Sequence, residues 1–299
     1  MFSPGSRCSR RSALLLIVVG LGGVAAAAPT VRDERIEVGS LTRSYFLHIT
    51  AIAGDAKPVP LVLLLHGRGG SGRAIHNYSG MGTKADQEGF LLVCPDASGT
   101  PPAWNSGAYA SRAYPTDDVA FLRAVLDRTE KEHRVDTRRI YVAGHSSGGM
   151  MSHRLGSELA ERVAAIGVVA GAIGAQLADG SSDRVPAPAK PVSAILFHGK
   201  ADRIVPYDGG GQLLKFLPVA DATAFWVRND GCGPEARKEP LAGGAATRET
   251  YTGGKDGTEV VLVTIPLGGH DWPKAEGLKA TDLMWQFFAA HPKPAEPAR

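Results

Sequence analysis

The segment RRIYVAGHSSGGMM, residues 138–151, constrains the fold of this chain more than any other stretch. A β-branched apolar run leads into the pattern Gly-x-Ser-x-Gly, and a helix-compatible stretch follows it. This order is typical of a strand, a sharp strained turn and a helix that together present a serine. Gly144 and Gly148 stand where a side chain is expected to collide with the adjacent strand and helix. The segment predicts Ser146 as a nucleophile, and the alternative is a Gly- and Ser-rich surface loop.

The overall composition is that of a globular enzyme-sized chain. Its 299 residues are 43% hydrophobic and 21% charged, which suffices for one large α/β domain or two small ones. The 33 basic and 30 acidic residues give a net charge of +3, too balanced for a nucleic-acid surface. No CxxC, HExxH or His/carboxylate cluster has the spacing of a metal site. We therefore expect a monomer with no cofactor, no metal and no nucleic-acid partner.

The N-terminus has the layout of a secretory signal peptide. Three arginines within residues 7–11 precede an apolar run, 13–24, and alanines at 25–28 suit a cleavage site. The run is short for a membrane span, so a retained anchor is the weaker alternative. We predict that residues 1–27 are removed and that the mature protein is secreted, extracellular or periplasmic, without a stable membrane span.

Continuous apolar runs that alternate with helix-compatible segments predict a mostly parallel central sheet flanked by helices, an α/β fold. The predicted buried strands are residues 61–65, 90–94, 139–145, 163–170, 192–197 and 259–265. The predicted helices are 117–133, capped by Thr116, then 147–161, 222–229 and 281–290. Residues 35–38 and 43–50 predict an N-terminal antiparallel hairpin. We expect one catalytic domain over 28–292 and a disordered tail at 293–299.

The glycine-rich loop at residues 66–72 has two interpretations. Its spacing satisfies GxGxxG after a strand, with Asp96 following the next strand, as in dinucleotide-binding folds. However, residues 71–82 do not begin as a clean helix, and an exported enzyme would need its own supply of nucleotide cofactor. The favoured interpretation is that the loop supplies an oxyanion-hole amide at Arg68, with a second amide at Ser147.

Two polar residues follow late strands in the chain order that a nucleophilic serine requires. Asp202 lies just past the strand at 192–197, with Asp208 as its nearest rival, and His270 follows the last strand after two glycines. A carboxylate at the first place can orient a histidine that takes the serine proton. We predict Ser146, Asp202 and His270 as the catalytic residues.

The irregular segment from 96 to 116 is long for a connection and predicts a wall of the substrate pocket. Trp104 and Asn105 in this segment, and Trp272 beside the predicted base, are the candidate substrate contacts. Packing in the core is the alternative for Trp104. The predicted mature chain also contains Cys94 and Cys232, and the sequence leaves open whether they pair.

These motifs in order resemble those of secreted α/β-hydrolase esterases, a group that includes feruloyl esterases and polyhydroxybutyrate depolymerases. The similarity extends from about residue 45 to 292 and is carried by LVLLLHGRGGS, TDDVAFLRAVLD, RRIYVAGHSSGGMM, LFHGKADRIVPYDGG, GGHDWP and ATDLMWQFFAAHP. The resemblance implies an α/β-hydrolase fold and the same nucleophile, acid and base. It also implies oxyanion amides near Arg68 and Ser147.

The resemblance further implies hydrolysis of small-molecule or polymer-linked esters, with feruloyl or acetyl esters of plant polysaccharides as the first expectation. A polyhydroxybutyrate depolymerase is the alternative, although family members that attack solid polyester frequently bear an additional binding domain. A peptidase of similar fold and a non-catalytic binding protein are more remote. Gly254 stands where members often carry a cysteine that pairs with the one at Cys232, and residues 106–114 replace a cysteine-containing loop. Substrate identity therefore stays open.

Overall fold

The computed structural model describes residues 1–2, 28–51, 57–107, 115–177, 179–212 and 214–295. The predicted signal peptide, apart from its first two residues, lies outside these ranges, as does the end of the predicted tail. Across the described part of the chain, no helix combines the length and the apolar character that crossing a membrane would take.

The described elements follow one another along the chain as predicted for an α/β protein. The strands are β1 (Thr30–Val38), β2 (Leu41–Ile49), β3 (Val59–Leu65), β4 (Leu91–Pro95), β5 (Val135–His145), β6 (Ala165–Val169), β7 (Gly174–Gln176), β8 (Ser182–Arg184), β9 (Ser193–Gly199), β10 (Lys215–Phe216), β11 (Arg237–Leu241), β12 (Ala246–Tyr251) and β13 (Val260–Ile265). The helices are α1 (Gly72–Ser79), α2 (Met81–Glu88), α3 (Asp118–Glu132), α4 (Ser147–Glu158), α5 (Val219–Asp230) and α6 (Ala280–Ala290).

Ten strands form one sheet in the order β1-β2-β4-β3-β5-β6-β9-β13-β12-β11. The strands from β4 to β13 in this order pair in parallel. The hairpin β1–β2 and the pair β11–β12 extend the two edges in antiparallel fashion. This topology confirms the predicted α/β-hydrolase fold, including its N-terminal antiparallel hairpin.

Both faces of the parallel strands are buried, which explains why their sequences are continuously apolar. In β3, Leu61, Leu63 and Leu65 belong to one hydrophobic cluster, whereas Val62 and Leu64 belong to the other. Helices α3, α4 and α5 pack on the first cluster, and α1, α2 and α6 pack on the second. The sheet is therefore a rigid layer between two helical layers.

The prediction for residues 71–82 was wrong, because two short helices occupy the segment after the glycine-rich loop. The Ser71 side chain caps α1 by accepting a hydrogen bond from the Ala74 amide, and Gly80, at φ 75°, separates α1 from α2. Ile75 and Met81 are buried against the sheet, so tertiary packing offsets the poor helix propensity of the Gly and Ser residues.

Two predicted boundaries also shift. Asp117, not Thr116, is the N-cap of α3, since its side chain accepts a hydrogen bond from the Ala120 amide. At the C-terminus, Lys293 donates its amide to the Arg138 carbonyl and its ammonium to the Ala160 carbonyl. The first residue of the predicted tail is thus anchored to the domain.

Candidate active site

The predicted catalytic residues all follow parallel strands at their carboxyl ends. Ser146 follows β5, Asp202 lies three residues beyond β9, and His270 lies in the loop after β13. The glycine-rich loop that contains Arg68 follows β3. Since the carboxyl ends of parallel strands share one edge of a sheet, the fold brings these four loops to the same edge.

Ser146 occupies a strained turn between β5 and α4. Its backbone has φ 55° and ψ −121°, a conformation that residues other than glycine rarely adopt outside functional turns. A Cβ on Gly144 would lie 2.2 Å from the Gly148 carbonyl oxygen, and a Cβ on Gly148 would lie 2.2 Å from the Leu65 carbonyl oxygen. Both distances are far inside van der Waals contact, so the turn needs glycine at both positions.

Asp202 and His270 are in direct contact. His270 Nδ1 lies 2.7 Å from Asp202 Oδ2, and the carboxylate side chain is fully buried, whereas the imidazole is 13% exposed. Asp202 Oδ1 accepts hydrogen bonds from the Ile204 and Val205 amides at 2.8 and 2.9 Å. Because an ionised carboxylate only accepts, Nδ1 of His270 carries the proton and Nε2 is left to act as an acceptor.

The environment of Asp202 holds it as an anion. Burial opposes ionisation of its carboxyl, but hydrogen bonds from two histidines, His198 and His270, outweigh burial and hold its pKa well below the usual range. A buried, fully hydrogen-bonded anion beside an imidazole stabilises the imidazolium that forms when the ring takes a proton.

Ser146 lies in the turn next to this pair. The ring of its neighbour His145 lies 5.0 Å from the His270 ring, and a Cβ on Gly67 would lie 3.3 Å from the Ser146 Cβ. Within the described ranges, no hydrogen bond joins the Ser146 hydroxyl to His270. The structure therefore brings the Asp202 carboxylate and the His270 imidazole together and places the serine in the adjoining turn. Such contacts are often long in ligand-free enzymes and tighten when substrate binds.

The glycine-rich loop lies against the serine and is fixed by backbone hydrogen bonds. The Gly70 amide donates to the Gly67 carbonyl at 3.0 Å, and the Gly69 amide donates to the Pro102 carbonyl at 2.7 Å. Arg68 is the residue between these contacts. Ser147 is the first residue of α4, so its amide belongs to the first turn and has no intrahelical partner. Ser147 thus directly follows Ser146, and Arg68 directly follows Gly67, which lies next to the serine.

His66 holds the base of this loop. Its Nδ1 lies 2.7 Å from the Gly67 carbonyl oxygen, and its Nε2 accepts a hydrogen bond from the Ala97 amide at 3.0 Å. Since a carbonyl only accepts, Nδ1 carries the proton and the ring is neutral. Burial lowers the pKa of His66 and favours the same form. Its contacts are those of a structural histidine.

The structure does not present the two predicted tryptophans to a substrate. Trp104 is 1% exposed and donates its indole N–H to the His66 carbonyl at 2.8 Å. Trp272 is 2% exposed and donates its indole N–H to Thr281 Oγ1 at 2.9 Å. An indole can be buried in this way once its N–H has an acceptor. Both rings are packing residues of the two core clusters, which corrects the prediction of pocket contacts.

Asn105, the third predicted contact, is part-exposed, and a buried ion pair holds it in place. Its backbone amide donates to Asp118 Oδ2 at 2.8 Å, and its side-chain amide donates to the Thr116 carbonyl at 3.0 Å. Asp118 also accepts a 2.9 Å bond from Arg43, and both charged side chains are nearly inaccessible. The sequence did not single out this network. Asp117 and Asp118 are consecutive at the start of α3, and nothing in the sequence shows that Asp117 caps the helix while Asp118 binds Arg43 and Asn105.

His145 and Tyr78 are two further residues near the site that sequence reasoning did not single out. The centre of the His145 ring lies 5.0 Å from that of the His270 ring and 5.9 Å from that of the Tyr78 ring. Burial and, to a smaller extent, the nearby His270 lower the pKa of His145 to about 4. The ring is therefore neutral at physiological pH. His145 is the x before the serine in Gly-x-Ser-x-Gly, a position that can hold any residue. The pattern therefore could not indicate a histidine close to His270.

The cysteines do not pair in the described structure. Cys94 is a buried free thiol in β4, and Cys232 is a half-buried free thiol. A Cβ on Gly254 would lie 2.9 Å from Cys232 Sγ, so the position at which the family resemblance implies a second cysteine does adjoin Cys232 here. Among the residues with described positions, no group of three His, Cys, Asp or Glu side chains could hold a metal ion.

Comparison with known proteins agrees with this fold. A family model described as the alpha/beta hydrolase fold matches residues 60–223. NocK of Nocardia uniformis subsp. tsuyamanensis, named as an esterase, is 33% identical over 84% of this chain and 76% of its own length. Feruloyl esterase C of Emericella nidulans is 30% identical over 83% of this chain and 84% of its own length.

Solved structures show the same fold at lower sequence identity. The acetyl xylan esterase from Aspergillus awamori superposes with a TM-score of 0.63 at 14% identity, covering 86% of this chain and 99% of its own. The family match, the identity to esterases over most of the chain and the shared fold lead to one assignment. The chain belongs to the α/β-hydrolase family and, within it, to the carboxylesterases related to feruloyl esterases.

Proposed function

We propose that this protein is a secreted serine esterase that releases feruloyl or acetyl groups from plant polysaccharide esters through a Ser146, His270 and Asp202 triad. The observation that carries the proposal is the 2.7 Å hydrogen bond between Asp202 and His270, formed beside a strained serine turn. The names of the relatives support the ester class. The signal-like N-terminus supports export, and we assign the catalytic domain to residues 28–292.

The first half-reaction forms an acyl-enzyme. His270 Nε2 takes the Ser146 proton while the hydroxyl oxygen attacks the ester carbonyl carbon. The carbonyl oxygen becomes an oxyanion that accepts hydrogen bonds from the amides of Arg68 and Ser147. The imidazolium, stabilised by ionised Asp202, then gives its proton to the departing alcohol oxygen as the tetrahedral intermediate collapses.

The second half-reaction returns the enzyme to its starting state. A water molecule gives a proton to His270 and attacks the acyl carbonyl, and the same amides accept the new oxyanion. Collapse breaks the bond to Ser146 Oγ, which recovers its proton from the imidazolium. The carboxylic acid leaves, and both proton transfers use one imidazole that never changes its Nδ1–H partner.

The decisive experiment removes the nucleophile. Ser146→Ala is expected to lower kcat by on the order of 10⁶, because the three side chains act as one unit. Wild-type protein should form a fluorophosphonate adduct on the peptide that contains Ser146. Ser152→Ala is the matched control, since Ser152 lies on the same helix and only donates its hydroxyl to the Gly148 carbonyl. Full activity in Ser146→Ala, or an adduct on another serine, would contradict the proposal.

The acyl group is tested separately. We expect purified mature protein to release ferulate or acetate from polysaccharide esters faster than it releases hydroxybutyrate from the polyester. Faster release of hydroxybutyrate would favour the depolymerase alternative while leaving the serine mechanism intact. N-terminal sequencing of the exported protein should begin at Ala28, and a mature protein that begins at Met1 would contradict the proposed export.

A further inference from the structure

A second histidine contacts the carboxylate that orients His270. His198, the next-to-last residue of β9, is 3% exposed, and its Nε2 lies 3.5 Å from Asp202 Oδ2. The same nitrogen lies 2.8 Å from the Val205 carbonyl oxygen. The oxygen of Asp202 that accepts the hydrogen bond from His270 therefore also faces His198.

The protonation of His198 follows from these contacts. A carbonyl oxygen only accepts, so the nitrogen 2.8 Å from the Val205 oxygen must carry a proton. That N–H group therefore lies next to both the Val205 carbonyl and Asp202 Oδ2. Its dipole adds to the positive potential at Oδ2 without requiring a positive charge on the ring.

His198 also closes the turn that carries the carboxylate. The Val205 amide donates to Asp202 Oδ1 at 2.9 Å, while the Val205 carbonyl accepts from His198. Val205 is therefore held at both of its backbone polar groups. The His198 ring is fixed in turn by an edge contact with Tyr207 at 5.8 Å. Rotation of the carboxylate away from His270 would require this closed arrangement to open.

We propose that His198 is a positioning residue that aims Asp202 Oδ2 at His270 and keeps the carboxylate ionised while the imidazole gains and loses its proton. The inference rests on the proposed esterase mechanism, because it concerns the same site. His198 touches no substrate atom in this scheme and acts only through Asp202. The strand fixes His198 before the turn begins, so the orientation exists before substrate binds.

The test compares variants that remove or keep the donor. His198→Phe keeps the size of the ring but has no donor, and His198→Asn is too short to reach the Val205 carbonyl. His198→Gln can place an amide N–H near the position of the imidazole donor. The control is His48→Phe, because His48 is also a buried histidine in a strand that bonds an aspartate, at 2.9 Å, but lies on β2. Nitrophenyl acetate is the substrate.

The donor-less variants should lower kcat by on the order of 10- to 100-fold, as expected for a small misplacement of a catalytic group. KM should stay nearly constant, and the acid limb of kcat/KM against pH should move to higher pH because Oδ2 loses a competing donor. His198→Gln should recover most of kcat. His48→Phe should lower Tm and leave kcat and the pH profile unchanged.

Two results would overturn the inference. One is a His198→Phe or His198→Asn variant that loses Tm but retains kcat and the pH profile, which would make the residue a packing group. The other is a folded His198→Gln variant as inactive as His198→Phe. Labelling separates these failures from failure of the esterase mechanism. If wild-type Ser146 reacts with the fluorophosphonate and His198→Phe reacts equally fast, only the role of His198 is wrong.

Discussion

Two pairs of histidine and aspartate in this molecule have nearly the same hydrogen bond but different surroundings. His270 and Asp202 are 2.7 Å apart at the carboxyl edge of the parallel strands. His48 and Asp86 are 2.9 Å apart, between β2 and α2 at the antiparallel side of the sheet. Distance alone therefore does not distinguish a catalytic pair from a structural one.

The difference lies in the other atoms of each pair. The second nitrogen of His48 is bonded to His76 Nε2 at 2.8 Å, whereas the second nitrogen of His270 has no hydrogen-bond partner among the described residues. The Asp86 side chain is 37% exposed, whereas that of Asp202 is fully buried. A histidine can act as a base only if one nitrogen remains available. A carboxylate stabilises the resulting imidazolium most strongly when water cannot screen it.

The largest expected effect comes from breaking both pairs at the histidine. His270→Ala should lower kcat by on the order of 10⁵ to 10⁶, because the serine loses its base. His48→Ala should change kcat by no more than about 2-fold but destabilise the fold by about 1–3 kcal/mol, since Asp86 and His76 lose a partner. Steady-state kinetics and denaturant unfolding of both variants check this contrast. Equal losses of activity would show that the two pairs are not functionally distinct.

The next effect comes from the carboxylates. Asp202→Asn should lower kcat by roughly 10⁴, because an amide in this place favours the wrong tautomer of the base. Asp86→Asn serves as the control and should keep full activity. The measurement is kcat for hydrolysis of nitrophenyl acetate near neutral pH. If kcat of Asp202→Asn were within 10-fold of the wild-type value, Asp208 would become the candidate for the carboxylate that orients His270.

Sequence patterns predicted the loops at the carboxyl ends of the parallel strands well, because there the local sequence also determines which parts of the chain meet. The continuous apolar runs of β3, β5, β9 and β13 identify parallel strands, and parallel strands place their following loops together. The glycines at 144 and 148 are required by collisions with backbone atoms, which is a constraint that a short pattern can carry. The fold and the positions of Ser146, Asp202 and His270 could be anticipated for this reason.

Burial of the aromatic residues could not be anticipated. A tryptophan in a long loop can form a pocket wall or enter the core, and the outcome depends on whether its N–H finds an acceptor. For Trp104 the acceptor is the carbonyl of His66, 38 residues away in sequence. For α1 and α2, the helices formed because Ile75 and Met81 reach the sheet, which no local propensity describes. Both errors concern contacts between distant parts of the chain.

Asp230, a buried carboxylate without histidine donors, shows what such donors contribute to Asp202. Asp230 at the end of α5 is inaccessible, accepts one bond from the Val192 amide at 3.0 Å, and leaves Oδ2 without a partner. Burial raises the pKa of Asp230 to about 7. The folded state thus binds more protons than the unfolded state between the ordinary carboxyl pKa and about 7, and this residue costs stability as pH rises through that window.

Asp230→Asn should therefore stabilise the protein at pH 8 by on the order of 2 kcal/mol, because the buried charge is removed while the acceptor for Val192 remains. The gain should shrink towards zero below about pH 4, where the wild-type carboxyl is protonated in both states. Denaturant unfolding at both pH values measures the difference. The exposed Asp221 of the same helix gives the control variant Asp221→Asn. A gain independent of pH would mean that packing, not charge, is responsible.

The smallest expected effect concerns the carboxylate of the structural pair. Asp86→Asn keeps an oxygen that can accept the hydrogen bond from His48 Nε2 and loses only the charge. The side chain is 37% exposed, so water already screens most of the attraction. We expect a loss of about 0.5 kcal/mol, which urea unfolding in low salt can resolve and which about 0.5 M NaCl should reduce. If the loss instead exceeded that of His48→Ala, the charge of Asp86 rather than the hydrogen bonds of His48 would hold β2 to α2. The two pairs would then differ in solvent access but not in their dependence on an anion.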